Sequence, residues 1–132
     1  MGVRLVTEHR AYQVYVHVTW HTRRRRRCVL GGLVREVQIA IADACARTGA
    51  RALRTAVLRD HVHLLLSLAP TTRVSDCLRL AKSVSAMRCN RIAPGTVRWA
   101  RGYFVRSVGK RELPVVERYI ERQFQRHPHL IP

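Results

Sequence analysis

The order in which two-residue and 3.6-residue hydrophobic periods follow one another predicts an α+β fold. Three observations carry it. Val14, Val16, Val18 and Trp20 alternate with Tyr15, His17 and Thr19, as on a strand with one buried face. Residues 61–68 are the most apolar stretch of the chain, long enough for a strand and too short for most helices. Two longer segments, 33–48 and 73–92, repeat their apolar residues at helical spacing. The predicted order is strand, helix, strand, strand, helix, strand, helix. Its first six members form βαββαβ, the ferredoxin-like split βαβ pattern with an antiparallel sheet. A C-terminal helix carrying a tyrosine follows. The helices are expected to cover one sheet face and leave the other open.

The elements justify themselves in turn. The first strand is expected over residues 12–20. Five consecutive arginines at 23–27 repel one another too strongly for a core and predict a loop. Gly31 and Gly32 are expected to precede the first helix, where Leu33, Val34, Val37, Ile41, Ala44 and Cys45 share a face and Gly49 ends it. A second strand is expected over 51–58, joined to the third by Arg59 and Asp60. After a turn at 70–72, the second helix runs from Arg73 to about Ile92, with Val74, Cys77, Leu78, Ala81, Val84 and Ser85 on one side. Pro94 and Gly95 break it. The fourth strand is expected over 103–108. The last helix starts near Pro114, a residue favoured in a first turn, and runs to about His127, where Pro128 stops it.

Length and composition bound the rest. The 132 residues suit one domain, 1–132, and 47% hydrophobic residues are enough for a core. No apolar run reaches the ~18 residues of a membrane-spanning helix, and residues 1–10 do not read as a signal peptide. Lys and Arg number 25 against 8 Asp and Glu, a formal net charge of +17. Such a field draws polyanions, and nucleic acid is the usual one. Lys82 and Lys110 are the only lysines; arginine suits bidentate phosphate contacts and stacking on bases. The cysteines Cys28, Cys45, Cys77 and Cys89 form no CxxC pair, which speaks against a zinc ribbon. Cys45 and Cys77 fall in helical apolar patterns and are expected as reduced core residues, which suits the cytoplasm.

Two constellations carry chemistry. On a strand His61 and His63 share a face, placed to grip one divalent cation. In the split βαβ order the first and third strands are neighbours, so His17 is expected on that face too. An HxH pair also arises by chance on a surface, and the residues alone leave both readings open. Tyr119 and Gln123 stand one helical turn apart. A phenol there can attack a phosphodiester, and the amide oxygen of Gln123 can join a metal shell. Equally, Tyr119 is read as a core aromatic beside Val116 and Ile120. Arg118, Arg122 and Arg126 surround it, either to steady a phosphate or as a solvated face. Tyr15, Trp20 and Trp99 are open to base stacking or to the core. A second HxH, His127-Pro128-His129, is expected to be a disordered end.

The run Asp60-His61-Val62-His63-Leu64-Leu65, then Leu80-Ala81-Lys82-Ser83, then Gly102 to Gly109 (GYFVRSVG), then Val116-Glu117-Arg118-Tyr119-Ile120-Glu121-Arg122-Gln123 resembles the single-tyrosine HUH transposases. These are the small transposases of certain insertion sequences and REP-associated elements. The resemblance spans residues 12–127, with the motifs in family order. It implies Tyr119 as the catalytic nucleophile and a metal, Mg²⁺ or Mn²⁺, on His61, His63 and Gln123. It implies single-stranded DNA with hairpins near the element ends as substrate. It also implies a homodimer whose tyrosine helix can serve the partner's histidines. Arg23, Arg24, Arg25, Arg26, Arg27, Lys82, Arg118 and Arg122 are the residues expected on DNA. The family often has proline where this chain has Arg59, and the arginine run is unusually basic.

The implied chemistry is metal-assisted attack by Tyr119, a 5′-phosphotyrosine and a free 3′-hydroxyl, then joining by a second DNA end. The linkage conserves bond energy, and no phosphate-cradling glycine loop for ATP is seen. The implied setting is a bacterial cytoplasm, on the nucleoid when DNA is bound. The alternative is a domesticated protein of the same fold that grips hairpin DNA or RNA without transposition. A histidine-triad hydrolase needs a third histidine where Leu65 stands. A two-histidine phosphodiesterase needs a second partner for His17-Val18-Thr19.

Overall fold

The computed structural model describes residues 14–132. The expected start of the first strand at Tyr12, and the reading of residues 1–10, lie outside them. The elements are β1 (Val14–His21), α1 (Gly31–Thr48), β2 (Ala50–Val57), β3 (His61–Leu68), α2 (Val74–Ile92), β4 (Phe104–Val108), α3 (Leu113–Glu121) and α4 (Gln123–Arg126), with short 3₁₀ turns between. The strands lie in the order β2-β3-β1-β4, every pair antiparallel. This is the predicted split βαβ sheet, with β1 and β3 adjacent at its centre.

Period two on the strands and 3.6 on the helices build the main core. Val16, Val18 and Trp20 from β1 and Val62, Leu64 and Leu66 from β3 pack against Val37 and Ile41 of α1 and Leu78 and Ala81 of α2. Each of the larger of these side chains contributes about 1.5–3 kcal/mol on burial. Trp20 is fully buried, with Trp99 packed edge-on at 5.9 Å between ring centres. Cys45 and Cys77 are buried free thiols with sulfurs 4.0 Å apart. Gly31 and Gly32 form the first turn of α1 and do not precede it. Gly49 ends that helix at φ 79, its N–H returning to the Cys45 carbonyl. No described helix is long and apolar enough to cross a membrane.

Three expectations are corrected. The second sheet face is not open. Leu65 of β3 packs with Leu58, Val116, Ile120 and Leu130 in a second cluster, so all eight residues of β3 are buried. The physical reason is the apolar stripe of α3: Val116 and Ile120 need cover, and Leu65 gives it. The last helix is also not continuous, because Arg122 (φ −86, ψ 0) separates α3 from α4. The end of the chain, expected to be disordered, folds back as a 3₁₀ turn at Pro128–Leu130. Leu130 is buried, the Arg59 backbone N–H donates to its carbonyl at 2.9 Å, and the Arg59 Nε–H donates to the Ile131 carbonyl at 2.8 Å. A proline at position 59 has no N–H to make the first of these bonds.

Candidate active site

The β1–β3 register pairs Thr19 with His63, His21 with His61 and His17 with Leu65. Strand alternation therefore gathers His17, Thr19 and His21 on the face of His61 and His63. The two motif imidazoles stand edge to face, 4.9 Å between ring centres. Each is held through Nδ1. Asp60 Oδ1 lies 2.7 Å from His61 Nδ1, with both residues buried, so the carboxylate accepts the Nδ1–H and orients the ring. His63 Nδ1 lies 3.0 Å from His17 Nε2 and 3.2 Å from Thr19 Oγ1. Both arrangements leave Nε2 as the remaining ring nitrogen.

Burial, together with the surrounding histidines, pushes the His63 imidazole down to about 3. Burial and Arg106 lower His17, and burial and Arg25 lower His21. His63 is therefore neutral across the physiological range, the form that ligates metals.

Tyr119 comes to the same place from α3. Its ring centre is 5.7 Å from those of both His63 and His17. It is 41% exposed, whereas Val116 and Ile120 are almost wholly buried. The reading of Tyr119 as a core aromatic therefore falls away. The Arg126 guanidinium carbon lies 5.5 Å from the ring centre. This approach is made within one chain.

Gln123 is 1% exposed. Its Nε2 donates to the Tyr119 carbonyl at 3.1 Å, and its Oε1 is buried with no partner among the described residues. An unsatisfied buried carbonyl costs about 1–3 kcal/mol, and a cation is one way to satisfy it. Among the described residues no three His, Cys, Asp or Glu side chains form a ready cage. Two imidazoles and an amide oxygen are nevertheless a donor set that a divalent ion keeping several waters accepts.

Sequence reasoning missed two further histidines of this cluster. His21 stacks on His61 at 5.4 Å and 25°. His127 stands edge-on to His61 at 6.1 Å and is followed by His129 at the same spacing. His21 is legible as the next same-face residue after His17 and Thr19. His127 is legible as one turn beyond Gln123, but the following proline points to an unstructured end.

The residues expected on DNA are dispersed. Arg23, Arg24, Arg25, Arg26 and Arg27 are exposed beyond the end of β1, and Arg118 and Arg122 are exposed on either side of Tyr119. Lys82 is engaged locally. Its ammonium donates to the carbonyls of Ala100 and Gly102 at 2.7 and 2.8 Å, pinning the loop before β4.

The family described as "Transposase IS200 like" matches residues 10–123. The chain belongs to this family of IS200-like transposases. It is 28% identical over 119 residues to the ISDra2 transposase TnpA of Deinococcus radiodurans, covering 85% of each chain. It is 26% identical over 133 residues to the IS200 transposase of Salmonella typhimurium, covering 95% of this chain and 86% of that one. A crystal structure of a transposase from D. radiodurans R1 superposes with a TM-score of 0.67 at 25% identity, over 85% of this chain and 92% of that one. A REP-associated tyrosine transposase bound to a REP hairpin shares the fold, with a TM-score of 0.71 at 16% identity, over 86% and 68% of the two chains. The α+β fold and the family resemblance read from the sequence are both borne out. IS200-like transposases act in DNA cleavage and strand transfer.

Proposed function

We propose that this transposase cleaves and rejoins single-stranded DNA at insertion-element ends, using Tyr119 as nucleophile and a divalent ion, Mg²⁺ or Mn²⁺, on His61, His63 and Gln123. The observation that carries the reading is the convergence, within one chain, of an exposed phenol, two Nδ1-held imidazoles and a buried amide oxygen without a partner among the described residues. The bound ion supplies Lewis-acid polarisation of the scissile phosphate.

The chain's own groups do the rest. The Tyr119 phenol gives up its proton and its oxygen bonds to phosphorus. The bond to the 3′ oxygen breaks, and that oxygen leaves with a proton. The 5′-phosphotyrosine keeps the bond energy until a second 3′-hydroxyl attacks and frees the phenol. Arg126, its guanidinium carbon 5.5 Å from the ring centre, stands where it can hold a phosphate oxygen beside the nucleophile. Asp60 and His17 hold the two motif imidazoles in orientation.

Hairpin DNA at the element ends is the proposed recognition feature, and the hairpin-bound neighbour is the analogy for it. A homodimer is part of the reading. β4 is an edge strand with Phe104 71% and Val105 47% exposed, an apolar edge of the kind that pairs with another chain.

A labelled single-stranded oligonucleotide carrying an element end tests the proposal. A tyrosine-dependent adduct that survives denaturing electrophoresis, formed only with divalent metal, is expected. Tight binding with no adduct would instead identify a hairpin-binding relative without transposition.

A further inference from the structure

We infer that the cavity between the arginine turn and the loop before β4 is a built phosphate site, holding the DNA backbone outside the catalytic cluster. This rests on the strand-cleavage reading and names a contact it does not include. The cavity is about 230 Å³ and is lined by Arg23, Arg24, Arg26, Arg98, Cys28 and Thr96. None of the four arginines is ion-paired with a described residue. Four like-charged residues lining one space repel one another, and an anion with several acceptor oxygens relieves that repulsion through charge-assisted hydrogen bonds.

The walls are fixed in advance. The Arg23 N–H donates to the Arg98 carbonyl at 2.8 Å, and Thr22 pairs with Trp99. The Thr22 hydroxyl donates to the Arg26 carbonyl at 2.7 Å, closing the turn. Arg24 and Arg25 sit at φ 57 and 55, a region that side chains other than glycine seldom adopt. The 3₁₀ turn that contains them buries no residue, so packing does not account for the conformation. Such outliers cluster where ligands are clamped. Here the turn brings Arg24 to the cavity and Arg25 to the adjoining groove.

That groove connects the cavity to the chemistry. It is lined by His21, Thr22, Arg24 and Arg25 among others, and shares Arg24 with the cavity. His21 stacks on His61, and the Thr22 N–H donates to the Asp60 carbonyl at 2.8 Å. A strand leaving the His61–Tyr119 cluster along this surface meets Arg25 first and the four-arginine cavity next. Arg27 belongs to the same run but lines neither space. A diffuse charge field treats Arg27 like its neighbours; a built site does not.

The test compares two double variants of equal charge change in the full chain: Arg24→Ala with Arg98→Ala, and Arg47→Ala with Arg51→Ala, two exposed arginines at the opposite end of the sheet that line neither space. The probe is a fluorescent single-stranded oligonucleotide carrying an element end, titrated at several salt concentrations. The cavity pair is expected to weaken binding about tenfold and to flatten the log K against log salt slope by about 0.7 to 1.4, the loss of one or two phosphate contacts. The comparison pair is expected to leave the slope unchanged. Equal effects from the two pairs, or no effect from the cavity pair, would overturn the inference.

Cys28 gives a second readout that no folding defect can mimic. It lines the cavity and is the one cysteine of the four that is not buried. Saturating oligonucleotide is expected to slow maleimide labelling of Cys28 in the native chain. An unchanged labelling rate, or equal protection by inorganic phosphate alone at matched phosphate concentration, would overturn the assignment to a DNA strand. Adduct formation is scored separately. Native adduct with no cavity effect sinks only this inference, whereas absent adduct with intact cavity binding sinks only the cleavage reading.

Discussion

The Gln123 side-chain amide donates to the Tyr119 carbonyl one turn back, at 3.1 Å, across the break at Arg122. That bond decides which end of the amide points where. The NH₂ is used on the backbone, and the oxygen is left inside with no described donor to accept from.

Gln123→Met follows directly. It keeps the volume and removes both the orphaned oxygen and its burial penalty. Metal-free thermal stability is expected to hold or rise slightly, while Mn²⁺ affinity by calorimetry falls about tenfold, at the lower end of what losing a supporting group at a metal site does. A Gln123→Met chain that binds Mn²⁺ as well as the native one would remove Gln123 from the metal shell.

Tyr119→Phe takes one oxygen from a residue that is 41% exposed. Oligonucleotide affinity and melting temperature should stay as they are, and the covalent adduct should vanish. An adduct that persists in this variant would move the nucleophile elsewhere.

Acid should loosen the metal-free fold in a defined window. The folded state resists protonating His63 down to about 3, whereas the unfolded chain takes that proton near the ordinary histidine value of 6.5. Unfolded chains therefore bind more protons between these values, and stability falls as pH drops through that range. Above pH 6.5 this contribution is complete. Melting temperatures taken from about pH 7.5 to about pH 4 should decline, and His63→Gln should shallow the slope. Parallel slopes for the two proteins would assign the acid sensitivity to another group.

Much of this is legible in the sequence, because the signals are local. His61, Val62 and His63 fix their own faces by strand alternation, and Gly49 and Pro94 punctuate the helices. The cover over Leu65 is not legible: an apolar face cannot name its partner, and α3 draws notice for Tyr119 rather than for Val116 and Ile120. The ordered tail escapes for the same reason. Leu130 is a single apolar residue after a proline, and its burial depends on bonds from Arg59, far back in the chain.

Asp60→Asn isolates the orienting bond to His61 Nδ1, 2.7 Å in a buried setting. The amide keeps the shape and loses the charge. Metal affinity should drop about 10- to 100-fold, with adduct yield partly recovered at high Mn²⁺. Wild-type affinity in Asp60→Asn would show that the ring needs no such anchor.

Leu130→Ala removes a buried side chain from the cluster under α3 and should destabilise by about 2–5 kcal/mol. Limited proteolysis should then open the chain after Arg126. A melting temperature indistinguishable from native would show that the tail contributes nothing to the cluster.

The tie from Arg59 to the chain's last residues makes two distant stretches of sequence answerable to each other. A proline at position 59 loses both the N–H that holds the Leu130 carbonyl and the guanidinium that holds the Ile131 carbonyl, loosening the strip that keeps His127 beside His61, and a strip that takes another path leaves the Arg59 N–H and Nε–H each without its acceptor. Lineages are therefore expected to alter the two together, so that a relative with proline before its aspartate should have a tail that ends early or takes another route.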